Sequence, residues 1–154
     1  MKPVRILFVC LGNICRSPLA EGILRHLAHD CPIDVDSAGT GGWHIGDLPD
    51  RRSIAVARRH GIDITGQRGR RIAAGDFAAC DLILAMDRSN LATLRALAPP
   101  GAQGKLHLFL GYTLGVERDV PDPYHEGPEG FEAVYRMLSE GCLSLIGKLE
   151  DSGS

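Results

Sequence analysis

The chain reads as an α/β protein, a three-layer α/β/α arrangement around a four-stranded parallel sheet. Short apolar runs at Val4–Val9, Ile33–Ser37, Cys80–Met86 and Leu106–Leu110 are separated by helix-length segments. Strands alternating with helices in this way build parallel sheets with right-handed crossovers. The run Leu82-Ile83-Leu84-Ala85-Met86 is apolar without interruption, as a strand buried on both faces requires. The first run also passes through a glycine-containing turn straight into a helical pattern. That is the opening of Rossmann-like and flavodoxin-like topologies, whose ligands bind beyond the C-terminal strand ends.

The first strand, Val4-Arg5-Ile6-Leu7-Phe8-Val9, ends at Cys10. After a short loop, Ser17 and Pro18 fit the N-cap and first helical positions, and Ala20, Ile23, Leu24, Leu27 and Ala28 mark one apolar helix face. Ile33 to Ser37 is a second, short strand, followed by a glycine-rich loop from Ala38 to Gly42. Pro49-Asp50 opens a second helix that runs through Ala55, Val56 and Arg59 to His60 and stops at Gly61. After the third strand, Asp87 suits the N-cap of a helix carrying Leu91, Leu94, Leu97 and Ala98, which stops before Pro99-Pro100-Gly101. Leu106–Leu110 is the last strand. A long loop follows, and Phe131–Leu149 closes the chain as a helix with Val134, Met137, Leu138, Leu145 and Leu149 turned to the sheet. Asp151–Ser154 reads as a frayed tail, so residues 1–150 make one domain.

The chemistry concentrates in Cys10-Leu11-Gly12-Asn13-Ile14-Cys15-Arg16-Ser17. A five-residue loop between a thiol and a guanidinium can curl so that successive backbone N–H groups point inward against a helix N-terminus, forming an anion-binding nest. Gly12 and Asn13 are residue types that tolerate the left-handed conformations of such a ring. A thiol at this positive end is expected as a thiolate at neutral pH. Arg16 can chelate two phosphate oxygens in a planar fork, which lysine could not.

A formal charge of -2 over 154 residues gives no general argument for nucleic-acid or membrane binding. The first apolar run is too short for a signal-peptide core or a membrane span. Five scattered cysteines, Cys10, Cys15, Cys31, Cys80 and Cys142, fit free thiols in a reducing compartment, so a cytoplasmic location is expected. No Cys-x-x-Cys or His-Glu-x-x-His spacing occurs, so no metal or other cofactor is expected.

Together with DSAGTGGW (Asp36 to Trp43), MDRSN (Met86 to Asn90) and DPYHEG (Asp122 to Gly127), the loop CLGNICRSP resembles the low-molecular-weight protein tyrosine phosphatases. The four motifs stand in the family's order across most of the chain. The resemblance implies Cys10 as nucleophile, Asp122 as general acid, and phosphate binding by Arg16 with the loop from Leu11 to Ser17. Pro123 restrains the residue before it and helps fix where Asp122 points. The resemblance makes Trp43 and Tyr124 aromatic walls of the substrate slot and Ser37 and Asp87 supports of the loop. Packing, turn and N-cap roles are the plainer alternatives. It implies a reversible Cys10–Cys15 disulfide that shields the nucleophile from irreversible oxidation; the equal alternative is a Cys15 that packs beneath the loop. Gln67 stands where many relatives carry a supporting histidine, and His125 where relatives carry a second tyrosine. The loop-supporting network is therefore expected to be altered rather than lost. The basic cluster Arg68, Arg70 and Arg71 reads as a solvated face or as a steering patch for anions.

The implied reaction is hydrolysis of phosphotyrosine monoesters through a cysteinyl-phosphate, without metal, by a monomer acting on phosphotyrosine-containing proteins such as a tyrosine kinase. Because Cys10 must be ionised while Asp122 is protonated, a mildly acidic optimum is expected. Two rivals share the loop. An arsenate reductase needs further cysteines to carry a disulfide outward, and Met86 to Ser89 offers none. A protein arginine phosphatase resembles the chain closely, but those relatives have threonine at the position of the bulkier Ile14.

Overall fold

The computed structural model describes residues 3–28 and 30–153. Strands β1 (Val4–Cys10), β2 (Ile33–Gly39), β3 (Leu82–Ala85) and β4 (Leu106–Leu108) form one parallel sheet in the order β2-β1-β3-β4. The crossover direction reverses at β1, which lies between β2 and β3. The C-terminal end of β1, with Cys10, is therefore the crevice where such sheets take ligands.

The pleat divides each central strand between two cores. Ile6, Phe8 and Cys10, with Leu82 and Leu84, face one core. Leu7 and Val9, with Ile83 and Ala85, face the other. Helices α1 (Arg16–Leu27), α2 (Arg51–Arg59), α5 (Phe109–Leu114) and α6 (Pro128–Gly153) pack together on the first side, where Phe8 meets Phe109 edge-on at 5.8 Å. Helices α3 (Ala74–Ala79) and α4 (Arg88–Leu97) contribute Phe77, Leu91 and Leu94 to the second. The expected three-layer α/β/α architecture with a four-stranded parallel sheet is what the chain adopts.

Several elements differ from the sequence reading. Helix α1 starts at Arg16 with Cys15 at the N-cap, so Ser17 does not cap it. The Ser17 hydroxyl is engaged by Cys10 and Asn13 instead, and Pro18 sits within the first turn, where a missing N–H costs nothing. The last strand stops at Leu108, where its pairing with β3 ends, and Phe109 and Leu110 open α5. Apolar runs this short do not distinguish strand from buried helix, and here Thr113 bonding back to the Phe109 carbonyl and Gly115 at φ +72° close a helical turn. Helix α3 and a 3-10 turn over Pro100–Lys105 were not expected. Cys80 caps α3 rather than lying in β3. Strand β2 continues to Gly39, and α6 starts at Pro128 and continues through Gly153, past the start of the expected frayed tail, with Ser154 outside the described residues.

Candidate active site

The chain leaves β1 at Cys10, turns through residues 11–15 and enters α1 at Arg16. Asn13 makes the turn at φ +57°, the one non-glycine residue with positive φ among the described residues. Asparagine accepts that conformation more readily than bulkier types. Gly12 is not in that region and serves by being small, since a Cβ there would stand 3.2 Å from the His44 ring. The loop carbonyls face outward. Leu11 O accepts from Gly41 N (2.9 Å), Ile14 O from Asp50 N (2.7 Å), and Cys15 O from Ser53 Oγ (3.3 Å). The N–H groups of Gly12 to Cys15 donate to nothing among the described residues, so they are left for an anion.

A buried polar chain fixes the loop from behind. Arg70 N donates to Asn13 Oδ1 (2.9 Å), which orients the amide so that Nδ2 donates to both Ser17 Oγ (2.9 Å) and Ser37 Oγ (3.0 Å). Ser37 in turn donates to Glu21 Oε1 (2.7 Å). Ser17 thus accepts from Asn13 and can spend its own hydrogen on Cys10 Sγ, 2.9 Å away. Burial, countered by Ser37 and Arg25, leaves the Glu21 carboxyl above its ordinary range. Gln67 does not reach Asn13. Its Nε2 donates to the Pro18 carbonyl (2.9 Å), and its Oε1 is buried without a partner among the described residues. At Gly39 a Cβ would come within 2.9 Å of Leu11 O and 3.2 Å of Asn13, so the loop rests directly on the end of β2.

Arg16 is buried, and its Nη1 donates to Asp87 Oδ2 (2.7 Å) and to the Val120 carbonyl (2.9 Å). Asp87 serves two elements at once, because its Oδ1 accepts from Asn90 N (2.7 Å) as the N-cap of α4. The Nη2 edge stays free of hydrogen bonds among the described residues and faces Asp122 Oδ2 at 3.8 Å. Asp87→Ala removes a cap and leaves a buried guanidinium short of an acceptor. Its expected cost is about 2–4 kcal/mol, read as a lower urea midpoint at unchanged slope.

A cavity of about 300 Å³ opens over the loop, with Cys10 and Arg16 at its base and Trp43, His44, Asp122, Tyr124 and His125 around its mouth. Asp122 Oδ1 accepts from Tyr124 N (3.1 Å), an Asx turn that leaves Oδ2 toward Arg16. The approach to this turn is pinned by Val120 N to Met86 O (2.8 Å) and Arg88 N to Asp119 Oδ1 (3.0 Å). The Tyr124 ring lies over Arg52, whose guanidinium is held by Asp50. Trp43, on the other wall, is 71% exposed. Cys15 is buried in the core beside the cavity. Burial first, then the charges of Asp50 and Asp122, push its thiol up to about 12, so it stays protonated near neutrality. All five cysteines are free thiols.

The geometry therefore brings Cys10, Arg16, Asp122, Trp43 and Tyr124 to one cavity, with Ser17, Ser37 and Asp87 behind it, holding the loop and Arg16. A family model, low molecular weight phosphotyrosine protein phosphatase, matches residues 5–154. The chain belongs to that family. A relative from Schizosaccharomyces pombe named low molecular weight phosphotyrosine protein phosphatase is 41% identical over 151 residues, covering 94% of this chain and 96% of its own. The structure of a protein tyrosine phosphatase from Entamoeba histolytica, with Hepes in its active site, superposes with a TM-score of 0.91 at 35% identity, covering 98% of this chain and 99% of its own. That of YfkJ from Bacillus subtilis also gives 0.91, at 37% identity over 100% and 99%.

In this phosphatase, sequence reasoning missed five contributors: Glu21, Gly39, the Arg70 amide, the Val120 carbonyl and the rim histidine His44. Glu21 alone carried a signal, a charge four residues after Ser17 on a helix whose first two turns are otherwise mostly apolar or small. The backbone groups carried none, because any residue supplies an amide or a carbonyl.

Proposed function

We propose that Cys10, Arg16 and Asp122 carry the reaction of this protein tyrosine phosphatase, which hydrolyses phosphotyrosine monoesters through a cysteinyl-phosphate. The observation that carries the assignment is the loop itself: unspent N–H groups from Gly12 to Cys15 and a buried Arg16 surround the space above Cys10 Sγ. Cys10 attacks phosphorus in line as a thiolate, forming the S–P bond as the tyrosine oxygen departs. The loop N–H groups and the free edge of Arg16 bind the three equatorial oxygens, where charge is held in the transition state. Asp122 gives its proton to the departing oxygen. In the second step it takes a proton from the attacking water while the Ser17 hydroxyl stabilises the thiolate that leaves phosphorus. Trp43 and Tyr124 flank the phenyl ring between them.

The reading extends to phosphotyrosine-containing proteins as substrates, a tyrosine kinase being one candidate, and to a monomer working in the cytoplasm, where five free thiols are at home. Among the described residues no helix is long and apolar enough to cross a membrane. The test is phosphate release from a phosphotyrosyl peptide with chelator present. Turnover there, exceeding that of the matching phosphoarginine peptide, is the expected result. A preference for phosphoarginine, or no release from either peptide, overturns the assignment. Ile14, which lines the cavity wall, supports the phosphotyrosine side.

A further inference from the structure

Beside the phosphate cavity lies a second, open hollow of about 420 Å³. Leu11 and Trp43 line both spaces and form an exposed apolar ridge between them. Gly41 and Gly42 line the hollow, and Gly41 leaves the room that the Trp43 ring occupies. A Cβ at Gly41 would stand 1.8 Å from the Trp43 ring, and one at Gly42 would stand 3.5 Å from Cδ of Arg71. The aromatic ring therefore lies directly on the Gly41 backbone, with the Arg71 stem beside Gly42.

Arg71 is the cation of this hollow. Its backbone is tied to the end of β2 by the bridge to Gly39 and by Ile72 N donating to Gly39 O (2.8 Å), so the side chain springs from a fixed point. It is exposed, and no carboxylate among the described residues pairs with it. The neighbouring cations are already engaged. Arg70 is paired with Asp36 and Asp76, Arg68 donates to the carbonyls of Thr65 and Gln67, and Arg52 across the cavity is held by Asp50.

We propose that this hollow is a subsite for the carboxylate of an aspartate or glutamate flanking the phosphotyrosine of a protein substrate, with Arg71 as the specificity-determining residue. The inference rests on the phosphatase reading above. With the phosphotyrosyl ring against Trp43, a peptide that continues over the Leu11–Trp43 ridge brings its next side chains over the hollow, where an acidic group meets an unspent guanidinium. On the opposite flank the cation against the Tyr124 ring, Arg52, is neutralised by Asp50. The preference is therefore one-sided, for an acid on one side of the phosphotyrosine and not the other.

The test compares kcat/KM of the full chain on phosphotyrosyl peptides carrying Asp, Ala or Lys at each of the two positions before and after the phosphotyrosine. An exposed ion pair is worth roughly two- to five-fold at low salt. The expected result is a preference of that size for Asp on one side, carried by KM and fading as ionic strength rises. Arg71→Gln brings the ratio of Asp to Ala peptides to about one, and Arg71→Glu turns it toward Lys. Each variant is compared with itself across peptides, so a general loss of activity does not imitate the effect. Equal kcat/KM at every position in the unaltered protein, or a preference that survives Arg71→Gln, overturns the subsite while leaving the phosphatase reading intact. No phosphate release from any peptide overturns both.

Discussion

Cys10→Ser is expected to abolish turnover, lowering kcat by at least about four orders of magnitude while phosphate binding persists. The thiol sits at the end of β1 with Ser17 Oγ 2.9 Å away and the unpaired loop N–H groups above it. Every one of these neighbours is a donor or is committed as one, so none of them can take a proton from a serine hydroxyl. The anion-binding parts, Arg16 and the loop amides, are untouched by the change. Inorganic phosphate should therefore still protect the variant thermally by the same shift as the unaltered protein. Residual activity above a few per cent would sink Cys10 as nucleophile. Loss of activity together with loss of phosphate protection would point to a collapsed loop instead.

Asp122→Asn removes the proton donor and should cost about 10²–10⁴ in kcat on phosphotyrosine. Asparagine can keep the Asx turn that Asp122 Oδ1 makes with Tyr124 N, so the wall of the slot stays in place. The leaving group provides an internal control. A phenolate that departs readily needs less protonation, so the deficit should shrink on p-nitrophenyl phosphate relative to phosphotyrosine. The pH profile provides another. The first step requires Cys10 without its proton and Asp122 with it, so the unaltered protein should lose activity toward alkaline pH, and the variant should lose that limb. A variant whose profile keeps the same alkaline fall, or whose deficit does not depend on the leaving group, would remove Asp122 from the reaction.

Local patterns reached far into this molecule because the relevant physics is local. Alternation of apolar runs with helical periodicity marks a parallel three-layer sheet. The spacing of Cys10 and Arg16 around a turn containing Asn13 marks an anion nest, and Asp87 before a helical stretch marks a cap. The same locality explains the failures. Phe109 and Leu110 are as apolar as the strand before them, and only the end of pairing at Ala85↔Leu108 turns them into helix. Ser17 has the composition of an N-cap, but its hydroxyl is taken by Cys10 and Asn13, a competition visible only once the loop is closed.

By itself the sequence determined the layers, the Cys10–Arg16 turn and the cap at Asp87, because each follows from patterns within a few residues, whereas the roles proposed for Cys10 and Asp122 rest on the family resemblance. Tertiary structure alone decided who holds whom. Arg16 is oriented by Asp87, 71 positions away, and by the Val120 carbonyl, 104 positions away. Asn13 is oriented by the amide of Arg70 rather than by Gln67, and Asp36 and Asp76 pair with Arg70 while no carboxylate among the described residues pairs with Arg71. Such choices depend on which backbone groups and charges the packing of distant segments brings within about 3 Å, and no pattern along the chain encodes that distance.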